Sequence, residues 1–163
     1  MLGRLFPRHI DNRFEGHRAA LWLLGLLVAL KLVISLNSIF NTASVAAGAD
    51  AIPLASFGPE AAREVLSLFA LSALGQLPLA LIAIAALIRW RALVPFLYLV
   101  WLAEQVARRF VIESHDPVRS AASPVAFYVI YGTLAVITVG LVLSLLPARR
   151  RDEPQSGHNA PAG

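Results

Sequence analysis

Residues 19–40 read AALWLLGLLVALKLVISLNSIF, a run in which one lysine, Lys31, is the only charge. An α-helix rises about 1.5 Å per residue, so a helix of this length reaches about 33 Å and can cross a hydrocarbon layer of about 30 Å. Three more runs follow the same pattern, at about 62–88, 92–111 and 124–147. In lipid every backbone N–H and C=O must find a partner within the chain, and apolar runs of this length achieve that as helices. The sequence predicts an all-α integral membrane protein, an antiparallel bundle of four transmembrane helices.

Composition agrees with this reading. Of 163 residues, 58% are hydrophobic and only 15% charged, a balance that a water-soluble globule of this size would expose as sticky surface. One membrane domain, 19–147, accounts for most of the chain, between a basic arm at 1–18 and a tail at 148–163. The lipid bilayer is the first partner implied. The formal charge of +4 comes from arginines clustered beside the apolar runs, without the aromatic interleaving of a nucleic-acid surface, so no nucleic acid is expected as a partner. The absence of cysteine excludes disulfides, thiolate metal sites, iron–sulfur clusters and thiol catalysis. Leu21 to Leu36 followed by Ala47-Gly48-Ala49 has the outline of a secretory signal, yet Lys31 interrupts it and three further runs follow, which reads as an uncleaved first helix. Usage rich in Ala, Leu and Arg, with one lysine, points to a bacterial protein, and the inner membrane is then its expected address.

Basic residues near the ends of the runs set the expected orientation. Arg4, Arg8, Arg13 and Arg18, then Arg89 and Arg91, then Arg149, Arg150 and Arg151 fall on one side, against Arg63, Arg108, Arg109 and Arg119 on the other. The positive-inside rule places the richer side, with both termini, in the cytoplasm. Leu2, Leu5, Phe6, Ile10 and Phe14 among the arginines of the arm allow a short strip on anionic headgroups, though a basic topology signal suffices. Arg89-Trp90-Arg91 is a short interfacial link that makes a hairpin of the second and third runs. The segment 41–60 reads as a mild outer loop, with Pro53 to Phe57 either a lid or a simple connection; Pro59, Glu60 and Glu64 suit the start of the next helix. The Pro/Gly/Ser/Asn-rich tail should be disordered.

Inside the apolar runs the informative residues are the polar ones. Measured from the expected cytoplasmic ends, Lys31, Gln76 and Glu104 all lie about 12 residues, or about 18 Å, deep. A central Lys or Glu opposes insertion by about 2.5 to 3.5 kcal/mol, and each Leu, Ile, Val or Phe returns about 0.3 to 0.6. The first run has about a dozen of the latter and inserts despite Lys31. The third has fewer, with Glu104, Gln105 and Arg108 among them, and should depend on its neighbours.

Lys31 heads a stripe with Ser35, Ser38 and Thr42 that should face inward, beside Asn37 and Asn41. Ser72 and Gln76 are one turn apart, and Pro78 can kink that helix. Glu104 has two possible partners, Arg108 four residues on and Lys31 across the bundle. Tyr131, with Tyr128, Thr133 and Thr138, is the polar offering of the fourth run, and Gly25, Ala29, Gly132 and Gly140 permit close helix contact. The candidate intramembrane polar site is Lys31, Glu104, Gln76, Ser35, Arg108 and Tyr131.

Catalytic signatures are missing. His9, His17, His115 and His158 all lie outside the runs, which disfavours haem within the bundle, and His115-Asp116 near Glu113 matches no metal-ligand template. There is no Gly-rich phosphate loop, nucleophile elbow or intramembrane carboxylate pair. No catalytic residue, metal or cofactor is expected. In size and run count, and in a basic turn leading into Ala92 to Pro95, the chain resembles small bacterial four-helix membrane proteins such as the DoxX-like group, a likeness of architecture that carries no residue over. The leading expectation is a non-enzymatic accessory or structural membrane subunit, working with a larger membrane-protein partner or as a homo-oligomer. The alternatives are a small transporter or ion or proton pathway using the Lys31–Glu104 pair, and a membrane redox or lipid-modifying enzyme.

Overall fold

The computed structural model describes Leu5 and residues 11–115 and 124–147. The tail at 148–163, half of the arm (1–4 and 6–10) and 116–123, with Asp116 and Arg119, lie outside the described residues. The helices are α1 (Ala19–Phe40), α2 (Thr42–Gly48), α3 (Pro59–Leu74), α4 (Gln76–Ile88), α5 (Val94–Ser114) and α6 (Pro124–Leu145), with short 3-10 turns at Leu54–Ser56 and Arg91–Leu93. Among the described residues the only β-type pairing is an isolated antiparallel bridge between Gly16 and Pro147.

Three stretches are long and apolar enough to cross a membrane: Ala19–Phe40, Pro59–Ile88 and Phe127–Leu145. Their outward faces are those of lipid-embedded helices, with Trp22, Leu26, Val33, Leu68, Leu81 and Ile88 each at least half exposed. The sequence predicts four such runs. α5 has the length, at 21 residues, but carries Glu104, Arg108, Arg109 and Glu113 and is not among the three. Its first half is nonetheless well buried, with Val94, Leu97, Tyr98 and Trp101 at most 3% exposed.

α1 is the centre of the arrangement and packs on α3, α4 and α6, while α6 also packs on α5. The core gathers Ala20, Leu24, Leu27 and Val28 of α1 with Ala83 and Ala86 of α4, Tyr98 and Trp101 of α5, and Ile137 of α6. Small residues on α4 let the α1 backbone come close, the usual device where apolar contact alone discriminates poorly.

At one end of the molecule, residues 11–17, 89–93 and 143–147 meet. The His17 N–H donates to the Leu143 carbonyl at 3.0 Å, and the Ala92 N–H donates to the Asp11 carbonyl at 3.3 Å. The start of α1 therefore lies beside the end of α6, and the two run antiparallel. Gly16 has no room for a side chain there, because a Cβ would strike the Ser144 carbonyl.

The second run is broken at Gly75. Pro78 has no N–H to give the Leu74 carbonyl, and its ring crowds that carbonyl, so the turn between α3 and α4 opens and Gln76 begins the second segment. The outer segment is also more structured than a mild loop. Thr42–Gly48 is helical, and Ala51 takes a left-handed φ of 55°, which costs an alanine about 1 to 2 kcal/mol and turns the chain sharply. The Ile52 N–H then bonds the Ala46 carbonyl at 3.0 Å. Pro53 to Phe57 form a 3-10 turn closed by the Ser56 hydroxyl donating to the Pro53 carbonyl.

One fully buried side chain, Tyr98, locks α5 in place through two contacts. The Tyr98 hydroxyl donates to the Ala20 carbonyl at 2.7 Å, and the Tyr98 ring lies where a Cβ on Gly140 would sit. Gly25 and Gly132 have nothing within 4 Å of such a Cβ. Gly140→Ala should therefore lower stability in detergent by about 1 to 3 kcal/mol, the usual range for overpacking, while Gly25→Ala and Gly132→Ala should leave it unchanged or slightly raised. Tyr98→Phe should lose about 1 kcal/mol with its hydrogen bond. Thermal unfolding of the four variants checks both statements, and equal losses at all three glycines would contradict them.

Candidate functional site

The opening at Gly75 places Gln76 where it faces both α1 and α5. Lys31 Nζ donates to Gln76 Oε1 at 3.3 Å, and Gln76 Nε2 donates to Glu104 Oε1 at 3.0 Å. One turn beyond Glu104, the Arg108 Nε and Nη2 both lie 2.9 Å from the same oxygen. Arg108 Nη1 reaches back to the Ser72 hydroxyl of α3 at 3.5 Å. The result is a hydrogen-bonded chain, Lys31–Gln76–Glu104–Arg108, that joins α1, α4 and α5 and touches α3.

The amide orientation follows from charge. Gln76 turns its carbonyl oxygen to the ammonium and its NH2 to the carboxylate, and the reverse would oppose like with like at both ends. Lys31 also lies 3.7 Å from Glu104 Oε2, an ion-pair distance without a hydrogen bond. That oxygen is buried and accepts no hydrogen bond, whereas Oε1 meets three donor nitrogens. The side chains of Lys31 and Glu104 are 12% and 24% exposed, and Arg108 is 41% exposed. The pair is thus sheltered, while the guanidinium lies nearer the surface.

Beside this chain is a cavity of about 330 Å³. Lys31, Ser35 and Ser38 line it from α1, Ser72 and Gln76 from the broken helix, Gln105 and Arg108 from α5, and Thr133 from α6. Asp50 and Ile52, carried in by the turn at Ala51, complete the wall. Apolar side chains such as Ile34, Phe69 and Ile130 share the lining.

Of the six candidate residues, Lys31, Gln76, Glu104 and Arg108 are brought together, and Ser35, 3% exposed, borders the same cavity. Tyr131 makes its contacts elsewhere. Its hydroxyl accepts from Arg109 Nη2 at 3.1 Å, its ring lies under that guanidinium and against Phe127, and it lines a separate groove between α5 and α6. Tyr131 shares a helix with Thr133 but occupies a different face, a distinction that residue type alone does not reveal. Thr42 and the Asn37–Asn41 pair also turn away: the Thr42 hydroxyl donates to the Ile39 carbonyl, and Asn41 donates to Asn37 on an exposed face. Asp50 was hidden from sequence reasoning because it sits in a segment without periodicity. Among the described residues no three His, Asp or Glu side chains come together as metal ligands would.

Glu104→Met strands the sheltered Lys31 ammonium near Arg108, whereas Lys31→Met leaves Glu104 bonded to Arg108 and Gln76. Glu104→Met should be the more destabilising of the two, and the double variant should lose less than the sum of the single losses by about 1 to 3 kcal/mol. Unfolding of the four proteins in one detergent gives the coupling directly, and additive effects would contradict the contact.

Compared with known proteins, the chain matches no protein-family model, no curated protein and no solved structure.

Proposed function

We propose that the chain is a small non-enzymatic multi-pass protein of a bacterial inner membrane that acts as an accessory or structural subunit, beside a larger membrane-protein partner or a further copy of itself. In this reading α1, the broken helix α3–α4, α5 and α6 are four up-and-down spans, with both termini in the cytoplasm. The observation that carries it is the Lys31–Gln76–Glu104–Arg108 chain. In lipid, apolar faces distinguish one helix partner from another only weakly, and a polar tie selects which faces meet. The same tie accounts for α5 as a span: its charges are matched by neighbours, and its first half shares the core of α1 and α6.

Orientation rests on the meeting of residues 11–17, 89–93 and 143–147 at one end, which brings Arg13, Arg18, Arg89 and Arg91 to the same side. The non-enzymatic reading rests on the absence of catalytic motifs in the sequence. One observation favours a second reading, a small carrier or ion pathway. A polar tie needs no adjoining space, yet a cavity of about 330 Å³ runs beside this one.

The cysteine-free chain allows a direct test of topology. With single cysteines at Asn12, Arg91 and Ser56, a membrane-impermeant maleimide applied to right-side-out vesicles should label Ser56→Cys, and the other two only after permeabilisation; the reverse pattern overturns the orientation. In mild detergent the protein should migrate as one discrete assembly heavier than its 17.6 kDa chain, and a monomer under every mild extraction would remove the subunit reading.

A further inference from the structure

Ser35, Ser38 and Thr133 are 3%, 5% and 9% exposed and line the cavity, and their hydroxyls make no hydrogen bond to a described residue. Nor are these hydroxyls sealed inside protein. Among the described residues, the unpartnered side-chain atoms that are fully enclosed are Trp101 Nε1 and Glu104 Oε2, and no hydroxyl is one of them. The three oxygens therefore face the cavity itself, which Gln105 and Asp50 also line. Such a wall favours no ion of either sign. Hydroxyls and a primary amide accept as well as donate, and the Lys31 and Arg108 cations are balanced by the Glu104 and Asp50 carboxylates.

What the wall requires is a medium that hydrogen-bonds in both senses, since polar groups held without partners are costly. Water is that medium, and about 330 Å³ is far above the ~10 to 15 Å³ that one molecule needs. The two ends of this space differ. On one side of the Lys31–Gln76–Glu104 tie, Leu27, Trp101 and Ile137 are at most 1% exposed and pack together, and the Tyr98 bond to Ala20 lies beyond them. On the other side the cavity continues past Ser35 to Ser38, which lies seven residues, or about 10 Å, along α1 from Lys31. It ends there against Asp50 and Ile52 of the segment that follows α2.

We infer that the cavity is a dead-end aqueous vestibule, entered from the end that carries α2 and the Leu54–Ser56 turn and closed at the Lys31–Gln76–Glu104 tie, which small hydrophilic solutes reach from that side alone. The inference rests on the reading of α1 and its neighbours as membrane spans, and goes beyond it by fixing where water enters and where it stops. Ser35, Ser38 and Thr133 wet the wall, and the apolar layer of Leu27, Trp101 and Ile137 is the seal. For the pathway reading, the tie is then the point a solute reaches without rearrangement, and passage beyond it requires that layer to part.

The test places single cysteines in the full, otherwise cysteine-free chain in sealed membrane vesicles, with the membrane-impermeant trimethylammonium-ethyl methanethiosulfonate as probe. The thiolate is the form that reacts, and hydrocarbon suppresses it, so the rate reports water at the site. Val33 lies between Lys31 and Ser35 along α1 but is 65% exposed on the outward face, which makes it the control at equal depth. Ser35→Cys, Ser38→Cys and Thr133→Cys should react at least about tenfold faster than Val33→Cys. They should do so from the side that labels Ser56→Cys and not from the side that labels Asn12→Cys. The anionic sulfonatoethyl reagent should give the same pattern, because the wall favours neither sign. Serine and cysteine are close in shape, and a variant that fails to fold at one site leaves two others to decide. Silence at the cavity positions and at Val33→Cys would overturn the vestibule and leave the spans. Reaction at Val33→Cys as fast as at Ser35→Cys would place the whole helix in water and remove the membrane reading and the vestibule together. Reaction of the cavity cysteines from both sides, or with one sign of reagent alone, would overturn the dead end or the solvent space respectively.

Discussion

The structure depends on where the carboxylate of Glu104 finds its partners. A charge sheltered among packed helices is tolerated when paired, and here one oxygen meets nitrogens from Gln76 and Arg108 while the other faces the Lys31 ammonium. Three helices must hold a definite rotation and depth for those contacts to coexist. α5 is the helix most governed by this, since it carries the charges that set it apart from the three stretches long and apolar enough to cross a membrane.

A second constraint acts nearer the end where residues 11–17, 89–93 and 143–147 meet. Tyr98 reaches the Ala20 carbonyl and fills the space beside Gly140, so one side chain joins α5 to both α1 and α6. Tyr98 precedes Glu104 on α5 as Ala20 precedes Lys31 on α1, so the two helices run in the same direction and are held at two levels. Between the levels the contacts are apolar, from Leu24 and Leu27 to Trp101 and Ile137. Above the polar level the packing loosens into the cavity, and the turn at Ala51 brings Asp50 and Ile52 to its wall.

Much of this was legible in the sequence because lipid imposes simple rules. Long apolar runs declare helices, and a lone lysine, glutamine and glutamate at one depth on three runs announce a meeting. Depth is a one-dimensional quantity that can be counted. Rotation about each helix axis is not: Tyr131 shares the residue type of the polar layer but faces Arg109, and Thr42 turns from the stripe begun by Lys31. The break at Gly75 could be anticipated from Pro78, but the use of that break, to bring Gln76 between two opposite charges, required the packed helices. Tyr98 left no local signal at all, since its partner is a backbone carbonyl 78 positions away. The helical Thr42–Gly48 segment was unreadable for another reason, as a short run of small residues has neither the length nor the periodicity that separates a helix from a loop.

The most direct measurement uses the fact that Lys31 is the single lysine of the chain. Protein labelled with ¹⁵N at the lysine side chain and ¹³C at glutamate carboxyls, reconstituted in lipid, contains one Nζ signal. Its dipolar coupling by solid-state NMR should report a carboxyl carbon at about the separation implied by the 3.7 Å Nζ to Oε2 contact, and that coupling should vanish in Glu104→Gln. An Nζ with no carboxyl carbon near it, or a coupling that survives Glu104→Gln, would mean that the two charges do not meet and that the helices are held together in some other way.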